Sequence, residues 1–218
     1  MATATAESPT HRYRLGEEIA NAVTHGVGAL LAVAGLAVLV TIAAVRGTAW
    51  HVVGCSVYGS TLVLLYTAST LYHSIPNARA KRTLRILDHS AIFLLIAGTY
   101  TPFTLVNLRG AWGWSLFGVV WGLALLGILL QTGRRRHPVA AVALYVAMGW
   151  AVVVAIRPLL HAIPRGGLAL LVSGGLAYTV GIVFYASKRI PYAHSVWHGF
   201  VLLGSALHFF AILMFVVP

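Results

Sequence analysis

Two histidines four residues apart stand at the start of the last apolar run of the chain. They are His194 and His198, in the segment PYAHSVWHGF. Residues i and i+4 share one face of a helix, so both imidazoles can reach a single metal ion. The pair alone also fits a second interpretation, in which loop carbonyls and water satisfy two interfacial histidines. No glutamate lies between them, so a catalytic base would have to come from another segment.

A third imidazole and two further polar groups come from elsewhere in the chain. His73 ends the segment STLYH, in which Ser69 lies one helical turn earlier. Three nitrogen ligands plus a water describe a catalytic zinc site. Asp88, in the segment LDHS, is a carboxylate at membrane depth and therefore a functional candidate. We predict that it accepts a proton from a zinc-activated water and later donates it to a leaving group, while Ser69 hydrogen-bonds that water or a substrate oxygen.

The elements that position these residues are transmembrane helices. Of the 218 residues, 59% are hydrophobic and only 9% are charged, which excludes an ordinary soluble domain. The sequence therefore predicts an all-α polytopic membrane protein. We count seven transmembrane helices, at about 20–45, 50–73, 87–107, 112–131, 138–159, 167–187 and 193–217. Residues 1–15 are expected to form a short cytoplasmic tail without a cleavable signal, and residues 16–218 the membrane domain.

Lysine and arginine predict the orientation of the bundle. Eleven of the 15 lie on the side of the N-terminus and four on the other, which predicts a cytoplasmic N-terminus and an external C-terminus. The chain is thus expected in a plasma or inner membrane. Nucleic acid is not expected as a partner, because the basic residues form short clusters between apolar runs. The run RRRH at 134–137 is interpreted as a topology and lipid-headgroup signal.

This topology brings the polar ends of four spans to one depth. Glu18, Asn21, Thr24 and His25 of the first span are predicted to form a supporting polar cluster beside the histidines. Two other histidines receive structural interpretations. His89 follows Asp88 and should point about 100° away from it, as a supporting or packing residue. His208 lies ten residues beyond His198, about 15 Å along the axis, and is expected to be a packing residue.

Four segments of the chain resemble the motifs of one family, the PAQR superfamily. They are EIANAVTH at 18–25, STLYH at 69–73, DHSAIFLLIAGTYTP at 88–102 and HSVWH at 194–198. That superfamily includes the adiponectin receptors and the bacterial hemolysin III proteins. The resemblance extends from about residue 12 over nearly the whole chain. The short N-terminus is more similar to the hemolysin III branch.

The resemblance implies seven helices and a zinc ion (Zn2+) held by His73, His194 and His198 near the cytoplasmic face, with Asp88 and Ser69 beside it. It also implies metal-dependent hydrolysis of lipid amides. We therefore expect a zinc-dependent hydrolase of an amide or ester, with membrane lipids and a lipid-like substrate or ligand as partners. The alternatives are a sensor or receptor with structural zinc, and a membrane-lysing protein. The substrate, the occurrence of catalysis, the oligomeric state and the choice between zinc and other imidazole-binding metals stay open. The roles of His25, His89 and His208 also stay open, since His25 and His89 lie on the cytoplasmic side and could be ligands.

Overall fold

The computed structural model describes residues 13–133 and 138–218, and within those ranges it is helical and contains no strand. The eight α-helices are α1 (Leu15–Arg46), α2 (Ala49–Ser74), α3 (Ala78–Pro102), α4 (Ala111–Thr132), α5 (Pro138–Gly149), α6 (Ile156–Ala162), α7 (Arg165–Ala186) and α8 (Ala193–Phe215). Seven stretches of the described residues are long and apolar enough to cross a membrane. This confirms the predicted all-α, multi-pass membrane fold. The run at 134–137, Arg12 and most of the predicted tail lie outside the described residues.

The third span begins earlier than its apolar stretch. The predicted loop at 74–85 shrinks to a short turn, because α3 starts at Ala78. The Asn77 side chain accepts hydrogen bonds from the backbone N–H groups of Arg79 and Ala80, both at 3.0 Å, and so caps the helix. Asp88 consequently lies ten residues inside α3, about 15 Å from its start, rather than at the start of the helix.

Two spans are interrupted in their second half. After Pro102, which has no backbone N–H, the third span continues as a π-turn at Phe103–Asn107. The fifth span passes from α5 to α6 through a 3-10 turn at Ala151–Ala155. The Tyr100 hydroxyl stabilises this break, because it donates to the Gly149 carbonyl at 2.9 Å and accepts from the Val152 N–H at 3.0 Å.

The helices form an incomplete ring. α8 packs against α7 and α1, and α1, α2, α3 and α4 then pack in succession, with α5 against α3 and α4. In the described part of the chain, α7 packs extensively only against α8. The two edges of the ring are therefore α5 and α7. A hydrogen bond from the Trp150 indole N–H to the Thr179 hydroxyl, 3.1 Å long, bridges these edges near the end of α5.

Candidate metal centre

The three predicted histidines meet at one end of the bundle. His73 lies in the last turn of α2, while His194 and His198 lie in the first two turns of α8. One ligand atom from each imidazole lies within 4.8 Å of the other two. The i, i+4 spacing on α8 aims two rings at the same point, and the end of α2 supplies the third. This group of histidines could therefore hold a metal ion.

Hydrogen bonds to α1 determine which nitrogen of His73 and of His198 keeps a free lone pair. The Glu18 carboxylate lies 2.6 Å from His73 Nδ1, and the Asn21 backbone carbonyl lies 3.3 Å from His198 Nδ1. Oxygens of both kinds only accept, so each Nδ1 carries the hydrogen and donates it. The lone pair of each ring is then on Nε2. A neutral imidazole whose other N–H is held by a carboxylate or carbonyl is the usual form of a metal-binding histidine.

The unpaired nitrogens of the cluster also fit a metal. His73 Nε2 and His194 Nε2 are buried and have no hydrogen-bond partner among the described residues. Such buried polar atoms are energetically costly unless something satisfies them. Three imidazole nitrogens suit zinc and also other borderline metals, so the donor set fits the expected ion without selecting it uniquely.

Asp88 and Ser69 line the same cavity as His194 and His198. Asp88 is 7% exposed and Ser69 is 1% exposed. The Ser69 hydroxyl is a polar neighbour of the Asp88 carboxylate. On the other side, His89 Nδ1 lies 3.7 Å from that carboxylate. The structure thus brings the predicted acid and hydroxyl to the cavity that His194 and His198 line.

The polar cluster beside the histidines does not contain all of the residues predicted for it. Thr24 donates at 2.6 Å to the Ala20 carbonyl of its own helix, rather than to the other members. Two residues join instead: Lys81 binds Glu18 at 2.6 Å, and Ser195 donates to the Asn21 side-chain oxygen at 2.6 Å. The positions of both residues near the predicted site, but not their partners, could be read from the sequence. Lys81 stands two helical turns before Asp88, and Ser195 lies between the two histidines of α8.

The imidazole of His25, on α1, is in direct contact with one of the three clustered histidines. Its ring stacks on that of His198 with centroids 3.5 Å apart and an angle of 10° between the planes. Both of its nitrogens are buried and have no hydrogen-bond partner among the described residues. His25 also lines the cavity, so its ring packs against His198 beside the space that the histidines border.

Tyr13 covers the histidine cluster at the end of the bundle. Its ring centroid lies 5.0 Å from that of His194 and 5.8 Å from that of His73. Burial raises the pKa of the Tyr13 phenol well above its usual value, so the side chain stays neutral there. Glu17 anchors this segment to the start of α8, since its carboxylate accepts the Tyr192 N–H at 3.0 Å.

A largely apolar cavity extends from the histidines into the bundle. It lies between α3, α5, α7 and α8 and has a volume of about 140 Å³, or about 1140 Å³ when the open space at its mouth is included. Asp88 and His194 lie at one end, and Tyr100, Trp150 and His208 line its deeper part. Since α5 and α7 are the edges of the helix ring, the cavity borders the gap between them. An apolar lining with a few polar groups is typical of small-molecule sites.

Comparison with known proteins shows which family this chain belongs to. A family model described as "Haemolysin-III related" matches residues 13–209. The chain belongs to the haemolysin III family. It is similar to Hemolysin-3 of Bacillus cereus, with 48% identity over 203 residues that make up 93% of each chain. It is also similar to the Hemolysin-3 homolog of Bacillus subtilis (strain 168), with 45% identity over 94% of this chain and 97% of the relative.

A more distant similarity reaches beyond bacteria. The human monocyte to macrophage differentiation factor is 28% identical over 205 residues, or 90% of this chain and 83% of the relative. Together with the two bacterial relatives, this match confirms the resemblance to the PAQR superfamily and to its haemolysin III branch.

Proposed function

We propose that this haemolysin III family member is a zinc-dependent hydrolase of an amide or ester bond in a lipid-like substrate. One observation carries the proposal: two imidazoles of a three-histidine cluster line the same apolar cavity as a buried carboxylate. Three protein ligands leave a fourth position for water or substrate, as in catalytic zinc sites. A purely structural site would ordinarily supply four protein ligands.

Each polar residue then has a defined part in the reaction. A bound zinc ion supplies polarisation of the scissile carbonyl and acidification of a water molecule. Asp88 accepts the proton of the attacking water and returns it to the departing nitrogen or oxygen. Ser69 donates a hydrogen bond to a substrate oxygen. Glu18 and Asn21 hold His73 and His198 with Nε2 towards the metal, and the buried setting strengthens these interactions.

The cavity supports a lipid as the substrate class. An acyl chain matches the apolar walls formed by α3, α5, α7 and α8. Tyr13 covers the histidines at the end of the bundle, whereas α5 and α7 are not extensively packed against each other among the described residues. A substrate already dissolved in the membrane would therefore reach the centre from the side.

The test combines metal analysis with a lipid hydrolysis assay on purified protein. We expect one zinc per chain in the wild type, loss of zinc in His194→Ala, and retention of zinc in Asp88→Asn. Hydrolysis of a panel of lipid amides and esters should fail in both variants. His161→Ala is the matched control, because His161 is exposed at the opposite end of the bundle and should keep both metal and activity.

Two results would overturn the proposal. The first is freshly purified wild-type protein without bound metal. The second is Asp88→Asn protein that releases fatty acid as fast as the wild type, since that result removes the acid and base from the mechanism.

A further inference from the structure

A second histidine of α8 faces the same cavity far from the metal centre. His208 lies ten residues after His198, which is about 15 Å along the helix axis. It is 9% exposed, and it lines the deep part of the cavity. Its ring stacks on Tyr178, with centroids 5.6 Å apart and an angle of 24° between the planes.

The hydrogen bond at Nδ1 of His208 determines whether Nε2 is a hydrogen-bond donor or acceptor. His208 Nδ1 lies 2.8 Å from the Gly204 backbone carbonyl. A carbonyl only accepts, so Nδ1 carries the hydrogen. A neutral imidazole with its hydrogen on Nδ1 has an acceptor lone pair on Nε2. Within residues 13–133 and 138–218, that Nε2 makes no hydrogen bond.

The neighbouring hydroxyl groups are already engaged. The Tyr178 hydroxyl pairs with the Ser205 hydroxyl at 2.8 Å, and Thr179 donates to the Gly175 carbonyl at 2.7 Å. Deeper in the cavity, Tyr100 donates to the Gly149 carbonyl. His208 Nε2 is therefore an acceptor within an apolar cavity whose nearby donors are committed elsewhere.

Helix α7 leaves room for this ring. A Cβ atom at Gly174 would lie only 2.4 Å from the His208 ring, which touches the bare backbone there. The position of the imidazole is thus set from three directions, by Gly174, by the Tyr178 ring and by the Gly204 carbonyl. A ring held in this way keeps Nε2 in one place.

We propose that His208 Nε2 accepts a hydrogen bond from a hydroxyl group on the chain of a lipid whose polar end lies at the metal centre. This inference rests on the proposed function, because it takes the cavity to be a lipid site. A keto or ether oxygen would gain nothing there, since neither carries a hydrogen to donate. The cavity therefore selects lipids with a chain hydroxyl about 15 Å from the polar end.

Binding of fatty acids, the products of the proposed hydrolysis, tests this directly. The zinc-loaded full chain in lipid nanodiscs is titrated with stearic acid and with hydroxystearic acids that carry the hydroxyl at successive positions. Displacement of a fluorescent fatty acid is the readout. One hydroxyl position far from the carboxylate should bind roughly five- to tenfold tighter than stearic acid, the gain expected of one buried hydrogen bond.

Two variants and a control assign that preference to His208. His208→Phe keeps a flat ring against Tyr178 and should bind stearic acid as before, but it should lose the preference for the hydroxyl. Gly174→Ala displaces the ring and should weaken the preference, which provides a second route if His208→Phe misfolds. Phe210→Leu alters a lipid-exposed side chain nearby and should change neither value.

The outcomes separate this inference from the proposed function. Stearic acid that binds without any favoured hydroxyl position, or a preference that survives in His208→Phe, would overturn the role of His208 alone. A zinc-loaded protein that binds no fatty acid at all would also overturn the role of His208, whereas the metal analysis and the hydrolysis assay decide the proposed function separately.

Discussion

The Glu18 carboxylate fixes the tautomer and the orientation of the His73 ring. Its carboxylate receives the Nδ1 hydrogen of His73 at 2.6 Å and also binds Lys81. We expect Glu18→Gln to lower zinc affinity by roughly 10- to 100-fold, because outer partners of metal-binding histidines typically contribute that much. A titration of the purified protein against a zinc chelator measures the change.

Glu17 provides the matched control for this substitution. Its carboxylate accepts the backbone N–H groups of Arg14 and Tyr192, both at 3.0 Å, whereas Glu18 binds a ring nitrogen of His73. Glu17→Gln removes the same charge one residue away and should leave zinc affinity within about twofold of the wild type. An equal loss in both variants would mean that charge near the centre matters and the bond to His73 does not.

Residue types and spacing predicted the histidine cluster and the carboxylate, but only part of their surroundings. His194 and His198 share a helix face by their spacing alone, and His73 follows from the same search for nitrogen ligands. Lys81 and Ser195 were missed as partners of Glu18 and Asn21. Their contacts join residues 63 and 174 positions apart in the chain, and no periodic pattern in the sequence marks such pairs.

Glycine sets the closeness of α4 to α3. A Cβ atom at Gly127 would lie 2.3 Å from the ring of Phe93, which is fully buried. We expect Gly127→Ala to destabilise the bundle by about 1–3 kcal/mol, since an added methyl group in a filled core forces neighbours to move. Thermal unfolding in detergent should show a lower Tm.

A second glycine of α4 separates this packing effect from helix propensity. A methyl group added at Gly122 would meet no atom of a neighbouring helix within 4 Å, because this position faces outwards. Gly122→Ala should therefore leave Tm unchanged or raise it, because alanine favours a helix by up to about 1 kcal/mol over glycine. Parallel losses of Tm in both variants would contradict the role assigned to Phe93.

Hydropathy located the helices better than it located their ends. It marks where the chain crosses hydrocarbon, whereas α3 continues outside the apolar stretch through the basic residues after Asn77. For this reason the third span was predicted to begin at 87 and begins at Ala78. The break at Ala151–Ala155 was also missed, because an apolar 3-10 turn has the same hydropathy as an apolar helix.

The orientation of the bundle stays a prediction that a labelling experiment can decide. Ile190 lies at the end of the bundle that carries the histidines, and Ala111 lies at the opposite end. The distribution of lysine and arginine predicts that Ile190→Cys faces the cytoplasm. In spheroplasts, a membrane-impermeant thiol reagent should label Ala111→Cys at once and Ile190→Cys only after permeabilisation.

The chain supplies its own background control for this experiment. Cys55 is its single cysteine and is fully buried, so the wild type should give no signal. The reverse labelling pattern would place the histidine cluster on the outer side. It would also show that the distribution of lysine and arginine predicts the wrong orientation for this bundle.

At the scale of the whole molecule, the sequence predicted seven spans but not their order around the ring. Each span is apolar on most faces, so hydropathy cannot distinguish a neighbour from a lipid. Contacts such as that of α8 with α1 join the two ends of the chain. They depend on side-chain shape, as when the Tyr66 hydroxyl of α2 reaches Ser205 of α8 at 2.8 Å.

Entry through the gap between α5 and α7, as proposed above, would make the protein respond to the concentration of its ligand within the membrane. A molecule that arrives sideways from the bilayer is counted per lipid and not per litre of solution. Occupancy of the cavity would then follow the mole fraction of that molecule in the surrounding membrane. At a constant total amount of that molecule, adding inert lipid or detergent would lower its mole fraction in the membrane and so reduce the occupancy of the cavity. Changing the aqueous volume would leave the occupancy unchanged.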